Sequence, residues 1–175
     1  GISFPDPFYK AIGDRRMAMG CYWIPNLVDG IGAMTWIVLD VAIDGHVSIS
    51  QLHHTLLNND GTKAFNYAGS NKLYSPAIKK IEATTFRVIP LYIGDPERII
   101  IAEGIENALS ALEIMKKIDS GGVMPTVYAA SNEKMLGKFF PFEGNIPTQH
   151  YTVCGDRDEG VVGQRAAASA VMNIN

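Results

Sequence analysis

Cysteine is scarce in this 175-residue chain: only Cys21 and Cys154, with no CxxC pair. That excludes a disulfide framework or a cysteine-based zinc module and fits a reducing cytoplasm. Long apolar runs are missing too. None approaches the ~20 residues that cross a bilayer, so no membrane partner is expected. The opening Gly1-Ile2-Ser3-Phe4-Pro5 lacks the basic start and apolar stretch of a secretory signal. It also lacks an initiator Met, and the chain stops just after a helical pattern, as a piece of a longer protein would. A dinucleotide fingerprint is absent, because Gly30-x-Gly32 has no third glycine. No Ser-His-Asp or Cys-His arrangement has a supporting context.

An excess of positive charge is also lacking, the formal net charge being −3. Its distribution qualifies that number. Residues 1–95 carry eight basic and eight acidic side chains, and residues 96–175 carry seven and ten. Setting aside Glu103, Glu106, Asp156 and Asp158 leaves six acids against seven bases in the second half. The acidity is thus what one cation-binding cluster would contribute, and a polyanionic partner is not excluded. With 47% apolar and 19% charged residues, the remainder is ordinary globular composition.

What is present divides near residue 95. From about residue 17 to 92 short β runs alternate with turn signals. Thr35–Leu39 and Val47–Leu52 flank Asp44-Gly45, a hairpin dipeptide. A turn is expected at Asn59-Asp60-Gly61. Thr84–Tyr92 is another extended run, and Pro90 within it predicts an edge strand or a strand end. From Arg98 onward strands and helices alternate. Arg98–Ala102 is a short apolar run of the kind buried on both faces. Ile105, Ala108, Leu109, Leu112, Met115 and Ile118 then recur at helical spacing as far as Gly121-Gly122. Thr126–Ala130 predicts a strand, Ser131 an N-cap for a short helix through Leu136, His150–Cys154 a third strand, and Val162–Met172 an alanine-rich helix. This alternation predicts an α/β fold with a parallel, right-handed crossover sheet over residues 96–175, packed on a β-rich or α+β lobe over residues 1–95.

Parallel sheets carry their functional groups at the carboxyl ends of strands. Glu103 follows the strand ending at Ala102, and Asp156 and Asp158 follow the strand ending at Cys154. Neighbouring strands would bring these carboxylates together. Oxygen ligands without nitrogen suit Mg²⁺ or Mn²⁺, which keep waters and engage phosphate oxygens. Two such ions about 3.5–4 Å apart stabilise the attacking and leaving oxygens of an in-line displacement. Glu106 shares the helix face of Glu103 and is a further candidate ligand. Taken singly, each acid reads more simply as a solvated charge at a strand–helix junction, where the helix dipole also favours carboxylates. The joint pattern, strand-Glu-Gly-helix and later strand-Gly-Asp-x-Asp-helix, points to metal-assisted phosphoryl transfer.

Ile101-Ala102-Glu103-Gly104-Ile105-Glu106-Asn107-Ala108-Leu109-Ser110 resembles the Glu-Gly motif of Toprim domains. Cys154-Gly155-Asp156-Arg157-Asp158 followed by Gly163-Gln164-Arg165-Ala166-Ala167 is similar to their Asp-x-Asp segment. The likeness spans about residues 97–172. Leu52–Leu57, Asp60–Ala64 and Asn71–Pro76 resemble the β-rich lobe that precedes Toprim in DnaG-like primases of phages and mobile elements. There His54 stands in place of an arginine, and the lysine-containing segment is one residue shorter. The resemblance implies a Rossmann-like Toprim sheet with flanking helices and a primase that joins ribonucleoside triphosphates on a single-stranded DNA template in DNA replication. It implies catalytic roles for Glu103, Asp156 and Asp158, metal binding by those three and Glu106, and a helicase domain or subunit in the parent protein. Another Toprim chemistry, a nuclease or topoisomerase, and a non-catalytic module binding DNA or a protein partner are the alternatives.

Lys63, Lys72, Lys79, Lys80 and Arg87 could line a groove for template or nucleotide phosphates, a sequence-independent contact; scattered solubilising charge is the plainer reading. Lys72 is favoured for phosphate by its motif, and Arg157 faces either phosphate or a neighbouring acid. His53 and His54 are adjacent and so point to opposite faces of a strand, one packed and one exposed. Tyr22, Trp23 and Trp36 are expected in the core or at a lobe interface, and Cys154 in the core.

Overall fold

The computed structural model describes residues 21–42, 46–66, 68–78, 85–118, 122–140, 150–157 and 159–174. Its organising element is a twelve-residue strand, β2 (Ile31–Ala42), whose run of β-branched and aromatic residues suits a pleated, covered surface. β1 (Cys21–Val28) precedes it through Asp29-Gly30. Both turn residues have positive φ, 47° and 83°, as a tight two-residue hairpin turn demands. β3 (Val47–Leu57) pairs antiparallel along one edge of β2. The two runs predicted to flank a hairpin thus pair antiparallel, while Asp44-Gly45 lies outside the described residues. The other edge of β2 is shared: Ile31 to Trp36 pair with β1, and Leu39 to Ala42 with β5 (Thr85–Tyr92). A short β4 (Lys72–Tyr74) adds to β3. The predicted turn at Asn59-Asp60-Gly61 is present. Asn58 N–H donates to the Thr62 carbonyl at 2.9 Å, and the Asp60 carboxylate accepts from Thr62 N–H, also at 2.9 Å.

The later elements follow the predicted order. β6 (Asp95–Ala102) leads to helix α1 (Ile105–Ile118), whose buried Ile105, Ala108, Leu109 and Leu112 form one stripe. Glu106 in its first turn and Lys116 and Lys117 in its last match the helix dipole. β7 (Pro125–Ala130), a one-turn helix α2 (Glu133–Leu136), β8 (His150–Cys154) and helix α3 (Val162–Ile174) are the last elements among the described residues.

The pairing corrects the expected fold class. The eight strands form one mixed, mostly antiparallel sheet in the order β4-β3-β2-β5-β7-β6-β8, with β1 also on β2, and no Rossmann-like parallel α/β fold. Only β7, β6 and β8 run parallel to one another. Strand–helix alternation specifies the crossover connections among those three. It does not specify what occupies the outer edge of β7, which is taken by antiparallel β5. Pro90 is accordingly interior to the sheet rather than at an edge. Pairing with β2 ends at Val88, and the β7 register shifts between Pro90 and Tyr92, so the missing N–H falls where the ladder is already interrupted.

The two sheet faces carry two cores. Trp36, Val38, Ile89, Leu91, Ile100 and Val127 pack with α1 on one face. Phe86, Val88, Ile101, Leu136 and Phe139 pack with α2 and α3 residues on the other. Both histidines are therefore buried: His53 opposite Trp36 on the first face, His54 on the second, where its Nδ1 meets Thr35 Oγ1 at 2.8 Å. The expectation of one exposed histidine fails because both faces are covered at this strand. Trp36 is core and Trp23 packs against it, whereas Tyr22 is exposed. Cys154 is half-buried and packs against the first core.

Candidate functional site

Glu103 is fixed by the sheet before its side chain makes any contact. β6 and β8 pair in parallel up to Ala102 and Cys154, and the Glu103 N–H continues the ladder to the Cys154 carbonyl at 2.9 Å. Its Oε2 accepts from the backbone N–H of Asp156 at 3.1 Å. Asp156 Oδ1 in turn accepts from Asn107 Nδ2, one helical turn after Glu103. Two carboxylates separated by 53 positions in the sequence thus meet at one rim of the parallel strands.

This approach requires glycine on α3. A Cβ at Gly163 would lie 2.5 Å from Glu103 Oε2, 2.6 Å from Asp156 O and 2.8 Å from Asp156 N. A Cβ at Gly155 would lie 2.5 Å from Gly163 O. The loop after β8 and the first turn of α3 therefore touch backbone to backbone. Val161, just before the helix, has φ 51°, a left-handed conformation that a β-branched residue rarely adopts.

Opposite the acids stand cations from the other end of the sheet. Lys63 follows the turn after β3, and Lys72 opens β4. Both reach Glu106, with Nζ at 3.3 Å from Oε1 and 3.9 Å from Oε2 respectively. Tyr74 O–H donates to the Ser131 carbonyl at 2.9 Å. These contacts show that the sheet curls, carrying β3 and β4 over the carboxyl ends of β6 and β7. The cleft between them has a volume of about 520 Å³, with Lys63 and Lys72 on one wall and Glu103, Asn107 and Asp156 on the other. Glu106 lies between them.

Burial raises the Glu106 carboxyl, but its own backbone N–H and the two lysines more than offset this and hold it below the ordinary value. Beneath Lys72, His53 packs its ring edge-to-face on Tyr74 with centroids 4.8 Å apart. Burial, reinforced by Lys72 and His54 and opposed by Glu106, pushes His53 down to about 4. Burial, followed by the charges of Glu106 and Glu133, raises the Tyr74 hydroxyl.

Of the residues singled out from the sequence, Glu103, Glu106, Asp156, Lys63 and Lys72 come together in this cleft. Arg157 is exposed and does not line it. Asp158, Lys79 and Lys80 lie outside the described residues. Arg87 faces Asp40 instead, with Nε at 2.8 Å from Oδ1. Sequence reasoning missed Asn107, Tyr74, Ser131 and Asn132. Asn107 was discoverable, being four residues beyond Glu103 in the first turn of the helix that follows it. Ser131 and Asn132 follow β7, a third parallel strand end. Nothing local marks Tyr74.

The donor set can hold a hard divalent cation. Glu103 and Asp156 supply oxygens only, and each uses one oxygen in the contacts above. Among the described residues no three acid, histidine or cysteine side chains form a metal cluster. Two carboxylates are nevertheless what Mg²⁺ commonly takes, the remaining positions going to water and substrate phosphate.

No protein-family model, curated protein or solved structure matches the chain.

Proposed function

We propose that this cleft performs metal-dependent nucleotidyl transfer on nucleic acid, as the catalytic part of a primase-type enzyme that joins ribonucleoside triphosphates on single-stranded DNA. The observation that supports it is the opposition of paired carboxylates, Glu103 and Asp156, to paired lysines, Lys63 and Lys72, across one open cleft. Carboxylates alone would suit many hydrolases. Carboxylates facing cations suit a substrate that is both metal-bound and polyanionic. The likeness of the Glu103-Gly104 and Asp156-x-Asp158 segments to Toprim primases favours the same chemistry.

In this reading Lys63 and Lys72 exchange Glu106 for the triphosphate and hold it against the acid wall. Glu103 accepts the proton of the attacking 3′-hydroxyl. The new bond joins that oxygen to the α-phosphorus, and the bond to the departing pyrophosphate breaks. Asn107 holds Asp156, and Gly163 leaves room for Glu103. Asp156 would hold a divalent cation, Mg²⁺ or Mn²⁺, with Glu103 as a second ligand in the alternative to its role as base, and the cation would supply charge neutralisation at the phosphates. Glu106 is a counter-ion to the lysines rather than a ligand, and Asp158 remains a candidate ligand. A helicase domain or subunit would deliver the template. No helix among the described residues is long and apolar enough to cross a membrane.

The test is ribonucleotide incorporation on single-stranded DNA in the protein that carries this chain. Glu103→Gln should lower the rate by about 10²–10⁴-fold, the range of a lost general base, with little change in melting temperature. Cleavage of DNA or RNA without incorporation would assign the cleft to a nuclease. DNA binding with neither reaction would make it a binding module.

A further inference from the structure

Behind Tyr74 lies a second cavity of about 260 Å³, lined by Gln51, Tyr74, Arg87, Ser131, Asn132 and Met135. It shares Tyr74, Ser131 and Asn132 with the main cleft. The partition is a single tyrosine ring, held at its hydroxyl by the Ser131 carbonyl and at its face or edge by His53. A ligand whose anionic end rests on Lys63 and Lys72 therefore has a second compartment directly past that ring.

The lining says what the compartment accepts. Among the described lining residues the charged one is Arg87, which pairs with Asp40 at 2.8 Å, both side chains largely buried; the charges of Glu106 and Glu133 also act on Tyr74. That neutralisation argues against a second phosphate or carboxylate. The polar groups on offer are neutral amides. Gln51 supplies both donors and an acceptor. Asn132 spends its Oδ1 on the Met135 N–H at 3.0 Å, so its amide contributes Nδ2 donors. Tyr74 and Met135 supply an aromatic ring and a polarisable thioether. A flat group with apolar faces and a hydrogen-bonding rim fits this lining. The volume is below the about 300–1,000 Å³ typical of sites for larger ligands, so it holds a heterocycle rather than a whole nucleotide.

We propose that this compartment is the nucleobase subsite of the nucleotide whose phosphates occupy Lys63 and Lys72, with Gln51 as its principal hydrogen-bonding residue and Tyr74 as its stacking wall. The proposal rests on the triphosphate reading of the main cleft. Calorimetric titrations of the full chain in Mn²⁺ would compare inorganic tripolyphosphate, the four ribonucleoside triphosphates and a single-stranded oligo-dT. The triphosphates should bind at least tenfold more tightly than tripolyphosphate. Gln51→Leu, and the same-sized Gln51→Glu, should erase at least fivefold of that gap without altering tripolyphosphate binding. Lys72→Ala should weaken both ligands together.

If nucleotides and tripolyphosphate bind alike and neither Gln51 variant changes them, the base subsite is overturned and the phosphate site stands. If Gln51→Leu weakens oligo-dT but no triphosphate, the compartment holds a template base and the assignment is again overturned. If no polyphosphate binds at all, the triphosphate reading of the main cleft falls and the subsite with it.

Discussion

Gly163→Ala sets two opposed effects against each other, and the sign of the outcome tests how closely α3 approaches the acids. In an ordinary helix this change stabilises, since glycine is about 1 kcal/mol worse than alanine in a helix interior. At this position the added methyl meets three atoms at 2.5, 2.6 and 2.8 Å, two of them backbone atoms of Asp156 that cannot rotate away. Forced overpacking of this kind costs about 1–3 kcal/mol. The first turn of a helix offers less than the full propensity gain, so the net effect should be a loss of about 1–2 kcal/mol. Gly137→Ala is the matched control. Gly137 has φ −64° and ψ −15°, and a methyl there would find its nearest atoms at 3.6 Å. That substitution should be neutral or stabilise by about 0.4–1 kcal/mol. Urea unfolding reads both as shifts in midpoint at unchanged slope. Because Glu103 Oε2 is the third atom displaced, Gly163→Ala should also weaken Mn²⁺ binding, which Gly137→Ala should leave intact. A midpoint that rises for Gly163→Ala as it does for Gly137→Ala would refute the close approach and the positioning of Glu103 built on it.

Three further outcomes are expected. His53, neutral in the fold and ordinarily titrating at 6.5, is pushed down to about 4, so the unfolded chain binds a proton first and stability falls as pH drops through that window. The contribution is at most about 3 kcal/mol, and urea midpoints between pH 7 and 4 should fall less steeply in His53→Phe than in the wild type. Asp40→Ala strands the buried Arg87 charge and should cost about 3 kcal/mol; Asp40→Ala with Arg87→Met should recover most of it, which a thermal melt of each variant checks. Lys63→Ala removes a half-exposed ion pair worth about 0–1 kcal/mol, so its melting temperature should barely move while triphosphate affinity falls by about tenfold or more, the worth of one charged hydrogen bond.

Local elements were legible because they follow from nearest neighbours. The apolar run at Ile99–Ala102, the stripe Ile105-Ala108-Leu109-Leu112 and the strand His150–Cys154 appear almost as the sequence implies. The short helix is capped by Asn132 rather than Ser131, since the Asn132 side-chain Oδ1 accepts from the Met135 N–H. Global pairing was not legible. Nothing in Thr85–Tyr92 says that it lies between β2 and β7, and Pro90 argues against it until the interrupted ladder is known. The same division holds at the site. Glu103 and Asp156 were legible because they stand one and two residues past the end of a strand. Tyr74 was not, because its partner Ser131 is 57 residues away and is reached only through the curl of the sheet.

That curl has a mechanical consequence. The lysine wall belongs to β4 and the turn beside it, at one end of the strand order, and the acid wall to β6 and β8 at the other. A ligand held by both walls acts as the clasp of a bracelet, with β3, β2, β5 and β7 as its links. Closing the clasp restrains every link, since a ligand that binds only the folded form raises stability by mass action. Amides in the middle of β2 and β5, remote from either wall, should then exchange more slowly when the cleft is filled, whereas a ligand touching the lysines alone would leave the links between them as free as before.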